Sequence, residues 1–166
     1  LTIAAPAGPS ILTNLEISKV ASTVDWINLM TYNYYDEHSI TTNLDGALYP
    51  VAADPGNKMY NDNSVVQAYL AAGIPGNKIM LGVNFYGHAW KGVPASQDGL
   101  YQPHEGPFDD PNVPQGTWNE EGKISYQSLQ KYYLNATGWN LHWQAEAQMP
   151  WLYNAEKSAF ITYHNA

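Results

Sequence analysis

Three apolar runs are spaced through the first half of the chain. The run from Val24 to Met30 is interrupted by only two polar side chains, Asp25 and Asn28, and residues 1–7 (LTIAAPA) and 78–85 (KIMLGVNF) are similarly apolar. Strands this apolar are typical of parallel sheets, which are covered on both faces. The pattern predicts a three-stranded parallel sheet with right-handed crossover connections.

The segments between these runs predict two helices and one long loop. A weak helix is expected near Leu15 to Ala21. A stronger helix follows the capping-type residues 61–63, and it has an apolar face before Gly73 that consists of Val65, Val66, Tyr69 and Leu70. The intervening residues 33–63 lack periodicity, and so long a loop is either functional or a sign of a wrong assignment.

The second half of the chain has a different pattern. Residues 91–122 are rich in Gly, Pro, Asp and Gln, and Ser125 to Leu134 then carries apolar residues at helical spacing. Short aromatic strands are expected at 141–143, 150–153 and 159–163. The sequence therefore predicts a small α+β domain that is inserted after the third parallel strand.

Composition and charge exclude several classes of protein. With 45% hydrophobic and only 13% charged residues the chain is globular rather than disordered. The net charge is −8 and all seven basic residues are lysines, so no nucleic-acid partner is expected. The sequence lacks an apolar run long enough for a membrane span, and the absence of cysteine leaves the redox compartment undetermined. The aromatic content of 13% suits both core packing and the stacking of sugar rings.

Candidate chemistry lies where the second and third parallel strands end. Tyr32 and Asn33 follow the second strand in MTYNYY, and Tyr86 and His88 follow the third in FYGHAW. Barrel enzymes keep their active sites at the carboxyl ends of such strands. The five histidines have no metal-ligand spacing, and neither a Gly-rich phosphate loop nor a Ser-His-Asp order is visible, so no metal and no cofactor are expected.

Several motifs in the same order resemble glycoside hydrolase family 18, the chitinase family. LTIAAPA is similar to its fifth barrel strand, VDWINLMTYNYY to its sixth and NKIMLGVNFYGHAW to its seventh, and GALYP, GTWNEEG, PWLYN and FITYHN also match. The resemblance implies an α/β fold: a partial (β/α)8 TIM barrel in residues 1–90, an α+β insertion domain in 91–163, and a return to the barrel at 164–166. A complete barrel needs about 250 residues, so a partial barrel with open strand edges is expected to be only marginally stable.

The same resemblance implies a mechanism. In this family the N-acetyl oxygen of the substrate attacks the sugar carbon while a Glu protonates the leaving oxygen. Tyr32 matches the tyrosine that holds the N-acetyl group, and Met30 matches the residue beneath the sugar, although a core position for Met30 is an open alternative. Asn33 stands where the family typically has Asp. These three residues are the catalytic candidates.

Further residues are implied as substrate contacts. Tyr86 and His88 match positions on either side of the cleaved bond, and His88 stands where Arg is commoner. Trp118 resembles a tryptophan of the groove wall, and either Glu120 or Glu121 resembles a carboxylate that bonds sugar hydroxyls, while a solvated turn is the alternative for both. Trp90 completes the set, although packing at the base of the insertion is the favoured interpretation of this residue.

The sequence also departs from the family pattern in its acidic groups. The proton-donating Glu is not found in these 166 residues, and His164 and Asn165 stand where acids are common. The expected parent protein is a secreted, monomeric chitinase acting on N-acetylglucosamine polymers, and the 166-residue chain alone is expected to be inactive. A chitinase-like lectin without catalysis is the main alternative, and a self-contained sugar-binding module is a weaker one.

Overall fold

A computed structural model of the chain describes residues 1–8, 14–111, 113 and 120–165. Among these residues, none of the helices has the length and apolar character needed to cross a membrane. The described elements, numbered along the chain, are β1 (Thr2–Pro6), α1 (Ile17–Thr23), β2 (Trp26–Met30), α2 (Asp62–Ala71), β3 (Ile79–Leu81), β4 (Tyr86–Lys91), β5 (Lys123–Ser125), α3 (Tyr126–Tyr132), β6 (Asn140–Gln144), β7 (Met149–Asn154) and β8 (Ala159–Tyr163).

The first three strands form a parallel sheet in the order β1-β2-β3, which confirms the expected arrangement. Helices α1 and α2 cover one face of this sheet, where Ile27, Leu29 and Tyr69 are buried in a common core. Asn61 caps α2 because its side chain accepts a hydrogen bond from the backbone N of Ser64 at 2.9 Å. The helix that was expected from the 61–63 capping residues is therefore present.

The prediction that the third strand runs over residues 78–85 was wrong in extent. The chain forms a 3-10 turn at Gly76–Lys78, and the strand itself covers only Ile79–Leu81. The backbone N of Gly82 still donates to the carbonyl of Leu29 at 2.8 Å, and the chain then leaves the sheet. Val83 and Phe85 beyond Gly82 resembled a continuing strand, but both side chains are exposed, and strand pairing resumes only at Tyr86 in a second sheet.

The second sheet is antiparallel and has the strand order β5-β4-β8-β7-β6. Its three C-terminal strands and α3 lie where the sequence predicted them: β8 has the predicted bounds, and the bounds of β6, β7 and α3 differ from the prediction by one or two residues. Strand β4 pairs with β8 and β5, so residues 86–90, which were predicted within the 1–90 barrel part, form strand structure in this second sheet. Residues 164 and 165 follow β8, and Ala166 lies outside the described residues.

The long segment of residues 31–61 between β2 and α2 packs against the second sheet. Leu44, Ala47 and Val51 are buried in one core with Trp90 and Phe160 of the second sheet. The other face of that sheet packs against α3 in a separate core. The segment therefore links the end of β2 to the second sheet, and its polar residues are brought beneath the carboxyl ends of the parallel strands.

Candidate active site at the carboxyl ends of the parallel strands

The ends of β2 and β3 are joined by hydrogen bonds that require a glycine. Thr31 Oγ1 donates to the carbonyl of Gly82 at 2.8 Å, and Gly82 N donates to Leu29 O. A Cβ atom at position 82 would lie 2.5 Å from the Leu29 carbonyl oxygen and 2.9 Å from the Tyr32 ring. Only glycine lets the two strand ends approach this closely, and the Tyr32 ring lies directly against it.

The three catalytic candidates follow one another at this edge. Met30 is exposed on the sheet face opposite α1 and α2, Tyr32 is half-buried, and Asn33 is exposed. Asn33 has a φ of 58°, a left-handed conformation that Asn tolerates better than most residues. This turn directs the chain away from the sheet and leaves the Asn33 amide above the strand ends.

Asn33, Tyr86 and His88 form one hydrogen-bonded cluster. The Tyr86 hydroxyl donates to Asn33 Oδ1 at 2.9 Å, and His88 Nε2 lies 2.9 Å from the same oxygen. The ring planes of Tyr86 and His88 are nearly perpendicular, with centroids 5.5 Å apart. The structure therefore brings together the residues that the sequence placed at the ends of the two neighbouring strands. Burial raises the pKa of the Tyr86 hydroxyl, so it remains a donor at neutral pH.

Glu37 is a member of the cluster that the sequence reasoning missed. Its Oε2 lies 3.2 Å from His88 Nδ1, and its Oε1 lies 3.6 Å from Nε2 of the exposed His38. The hydrogen bond with His88 lowers the pKa of the Glu37 carboxyl to about 2, so this carboxylate is ionised across the working range of most enzymes. Glu37 therefore adds a negative charge behind the ring of His88.

Asp45 is a second missed residue and has no exposed surface. Its Oδ1 accepts from the backbone N of Asn33 at 2.5 Å, and its Oδ2 accepts from Asn84 Nδ2 at 2.6 Å. Oδ1 also lies 3.7 Å from His88 Nε2. Burial raises the pKa of the Asp45 carboxyl, while His88, His164 and the hydrogen bonds oppose that shift. Asp45 fixes the positions of the residues that follow both strands.

On the side of the second sheet, a lysine connects the cluster to one of the two candidate glutamates. Lys123 Nζ lies 5.7 Å from the centroid of the Tyr86 ring and forms an ion pair with Glu120. Glu121 is exposed on the same turn. Of these two carboxylates, Glu120 is therefore the one that is connected to the Tyr86 side of the cluster. Trp118 lies outside the described residues.

Two other residues noted in the sequence, Trp90 and His164, are directed towards the interior of the protein. Trp90 has no exposed surface and packs against Phe160, with ring centroids 5.7 Å apart. Trp90 therefore packs in a core, in agreement with the interpretation favoured for it, and its ring has no face free to contact a sugar. His164 is half-buried, and its Nε2 lies 3.2 Å from the carbonyl oxygen of Gly46.

Comparison with known proteins assigns these features to a family. The model of the family described as glycosyl hydrolases family 18 matches residues 1–166. Chitinase A1 of Niallia circulans is 36% identical over 172 residues, which cover all of this chain and 24% of the relative. Chitinase B of Serratia marcescens is 29% identical over 204 residues, covering all of this chain and 40% of the relative.

A solved structure has a similar fold. Chitinase ChiA74 from Bacillus thuringiensis superposes with a TM-score of 0.88 at 33% identity, over 99% of this chain and 27% of that one. The chain thus spans well under half of the length of each of these relatives.

Proposed function

Because the chain belongs to glycosyl hydrolases family 18, we propose that the protein containing it hydrolyses polymers of β-1,4-linked N-acetylglucosamine. The observation that carries the proposal is that Tyr32 and Asn33, at the carboxyl end of the parallel strand β2, lie beside β4, where Tyr86 and His88 both hydrogen-bond to Asn33. This is the edge at which barrel enzymes perform catalysis. Both of the curated relatives described above are chitinases by name.

The proposed barrel is incomplete within this chain. Strands β1 to β3 would be the fifth to seventh of eight, and the second sheet with α3 would form one wall of the substrate groove. Trp26, Met30 and Met80 are large, partly exposed apolar residues on the sheet face that α1 and α2 do not cover. The remaining barrel strands would bury that face.

The proposed mechanism is substrate-assisted and retaining. The N-acetyl oxygen bonds to the anomeric carbon as the bond to the leaving oxygen breaks, and a Glu outside this chain supplies the proton to that oxygen. Tyr32 would donate a hydrogen bond that holds the N-acetyl group in the attacking geometry. Met30 would pack beneath the sugar, and Tyr86, His88 and Glu120 would contact the sugars around the cleaved bond.

The substrate class carries further proposals. An extracellular polymer requires a secreted enzyme, and the protein would act as a monomer on chitin or chitooligosaccharides without a nucleic-acid partner. The net charge of −8 disfavours binding to polyanions.

Hydrolysis of chitin oligomers by the full-length protein, followed by proton NMR of the first product, tests the proposal. The β-anomer should form first, because retention preserves the configuration of the substrate. The 166-residue chain should release no product. Binding of oligomers by the full-length protein without hydrolysis would instead indicate a chitinase-like lectin, and turnover by the chain alone would refute the assignment of the acid outside it.

A further inference from the structure

Residues 36–39 form a turn that is closed by its own hydrogen bonds. Ser39 N donates to the carbonyl of Asp36 at 3.0 Å, and His38 N donates to Oδ1 of the Asp36 carboxylate at 3.0 Å. Asp36 N in return donates to Ser39 Oγ at 3.0 Å. An Asp side chain that bonds the backbone two residues further on is typical of such turns. The turn therefore behaves as a unit, and its position depends on what holds it from outside.

The turn carries a side chain that contacts the candidate site. Glu37 Oε2 lies 3.2 Å from Nδ1 of His88. The side chain of His38 is 85% exposed, and Ile40, directly after the turn, is 91% exposed. These exposed side chains supply little packing that would hold the turn in place. Anchors on its backbone therefore decide where Glu37 lies.

Two aromatic side chains from the direction of the second sheet anchor this backbone. Trp90 Nε1 donates to the carbonyl of Asp36 at 3.2 Å. His104 Nε2 lies 2.5 Å from the carbonyl oxygen of Ser39. The rings of Trp90 and His104 are neighbours, with centroids 6.0 Å apart. The first and the last residue of the turn are thus held by two adjacent rings.

The partners of His104 determine which of its nitrogens carries the proton. Gly106 N donates to Nδ1 at 3.0 Å, so Nδ1 uses its lone pair and carries no proton. Nε2 faces a carbonyl oxygen, which can only accept, so Nε2 carries the proton and donates it. The backbone on this side is itself fixed to β4, because Glu105 N donates to the carbonyl of Lys91 at 2.8 Å. His104 therefore links the turn to the second sheet.

We infer that His104 is a positioning residue that docks the turn of residues 36–39 on the second sheet. By holding the carbonyl of Ser39, it keeps Glu37 in contact with His88. The docking affects the substrate groove because His88 is one of the proposed sugar contacts. For this effect on the substrate the inference rests on the proposed function, but the docking itself does not.

Two substitutions of His104 each keep one of its two hydrogen bonds. The amide of Gln reaches as far as Nε2 and can donate to the carbonyl of Ser39, whereas the amide oxygen of Asn lies near the position of Nδ1 and can accept from Gly106 N. Each variant loses one hydrogen bond and the same ring packing, so the two are matched. The chain after the turn stays attached in both, because Thr42 N donates to the carbonyl of Gln102 at 2.8 Å.

Hydrogen exchange of the full-length protein, measured by mass spectrometry, tests the docking without a substrate. In His104→Asn the peptide that covers residues 36–41 should exchange about fivefold faster, as expected for one net hydrogen bond, and the peptide that covers 104–108 should be unchanged. In His104→Gln this pattern should be reversed. The peptide of α2, residues 62–71, should exchange equally in all three proteins and so exclude global destabilisation. An unchanged 36–41 peptide in His104→Asn would overturn the inference.

Substrate recognition provides the second measurement. His104→Asn should raise the KM for chitin oligomers about fivefold, equivalent to one net hydrogen bond, with a smaller change in kcat. His104→Gln should keep KM within about twofold of the original value, since it retains the bond to Ser39. Equal KM values in the two variants, or faster exchange of the turn without a rise in KM, would overturn the positioning role.

The unmodified protein provides a measurement that does not depend on the folding of a variant. After labelling with 15N-histidine, the ring of His104, identified by its proximity to the Gly106 amide, should carry a proton on Nε2 alone at neutral pH. A proton on Nδ1 would overturn the inference even if both variants failed to fold. If the unmodified protein neither bound nor cleaved chitin oligomers, the proposed function would be rejected, while the exchange pattern would still decide whether His104 docks the turn.

Discussion

Asp45→Asn tests whether the buried carboxylate holds the site together. The substitution preserves shape but leaves one acceptor oxygen where two are used. Asn33 N and Asn84 Nδ2 each bond a different oxygen of Asp45, so one of these donors must face the new NH2 group. A lost charge-assisted hydrogen bond costs about 1.5–3 kcal/mol, and a buried donor without a partner costs about 1–3 kcal/mol more.

Asp45→Asn also removes a buried charge, and this stabilising effect opposes the cost. Asp62→Asn is a matched control for the stabilising effect. Burial raises the pKa of Asp62 to about 7. Within the described part of the chain, its side chain accepts a hydrogen bond from the Tyr34 hydroxyl at 3.2 Å, which an Asn oxygen can also accept. Both substitutions remove a buried carboxylate, but only Asp45→Asn leaves a donor unpaired. Asp45→Asn should therefore be less stable than Asp62→Asn by about 3 kcal/mol.

The assay is urea unfolding of both variants of the full-length protein, followed by tryptophan fluorescence, together with kcat/KM for chitin oligomers. Asp45→Asn should also lose activity, because Asn33 no longer has its backbone anchor, whereas Asp62→Asn should retain it. Equal free energies of unfolding for the two variants would refute the assignment of Asp45 as the residue that fixes both strand ends.

Three further predictions have defined outcomes. Tyr32→Phe should lower kcat about a hundredfold, or about 3 kcal/mol, with little change in KM, and an effect below about threefold would make Tyr32 structural. Asn33→Asp combined with His88→Arg should change KM by an amount that differs from the sum of the two single changes, because the two side chains are in contact, and additive effects would contradict this coupling. Because burial raises the pKa of Asp62, the unmodified protein should lose stability as the pH rises from about 4 to about 7. Asp62→Asn should abolish this loss. Urea unfolding at both pH values measures it.

The fold could be predicted where a local pattern decides the structure. The apolar run of β2 and the cap at Asn61 are recognisable from their neighbours in sequence, and both were predicted. The end of β3 was not, because residues 83–85 have strand-like side chains although they lie outside both sheets and pairing resumes only at Tyr86.

The site was predicted only in the part that follows the strands. Glu37 and Asp45 lie in an aperiodic polar segment, where a buried carboxylate has the same sequence environment as a solvated one. The Asp-Gly pair at 45–46 also has the composition of an exposed turn. Their burial arises because Leu44 and Ala47, on either side of that pair, pack into the core of the second sheet.

The uncharged side chain at position 33 is explained by the two nearby carboxylates, Glu37 and Asp45. His88 already has Glu37 on one side and Asp45 on the other. An Asp at position 33 would place a third carboxylate against the same imidazole, and like charges so close together destabilise one another. A neutral amide is the side chain that this surrounding can accept, since it supplies an acceptor to His88 and to Tyr86 without adding charge. The neutral amide of Asn33 is therefore compatible with the negative charges of residues 37 and 45, and on its own it does not distinguish a hydrolase from a lectin.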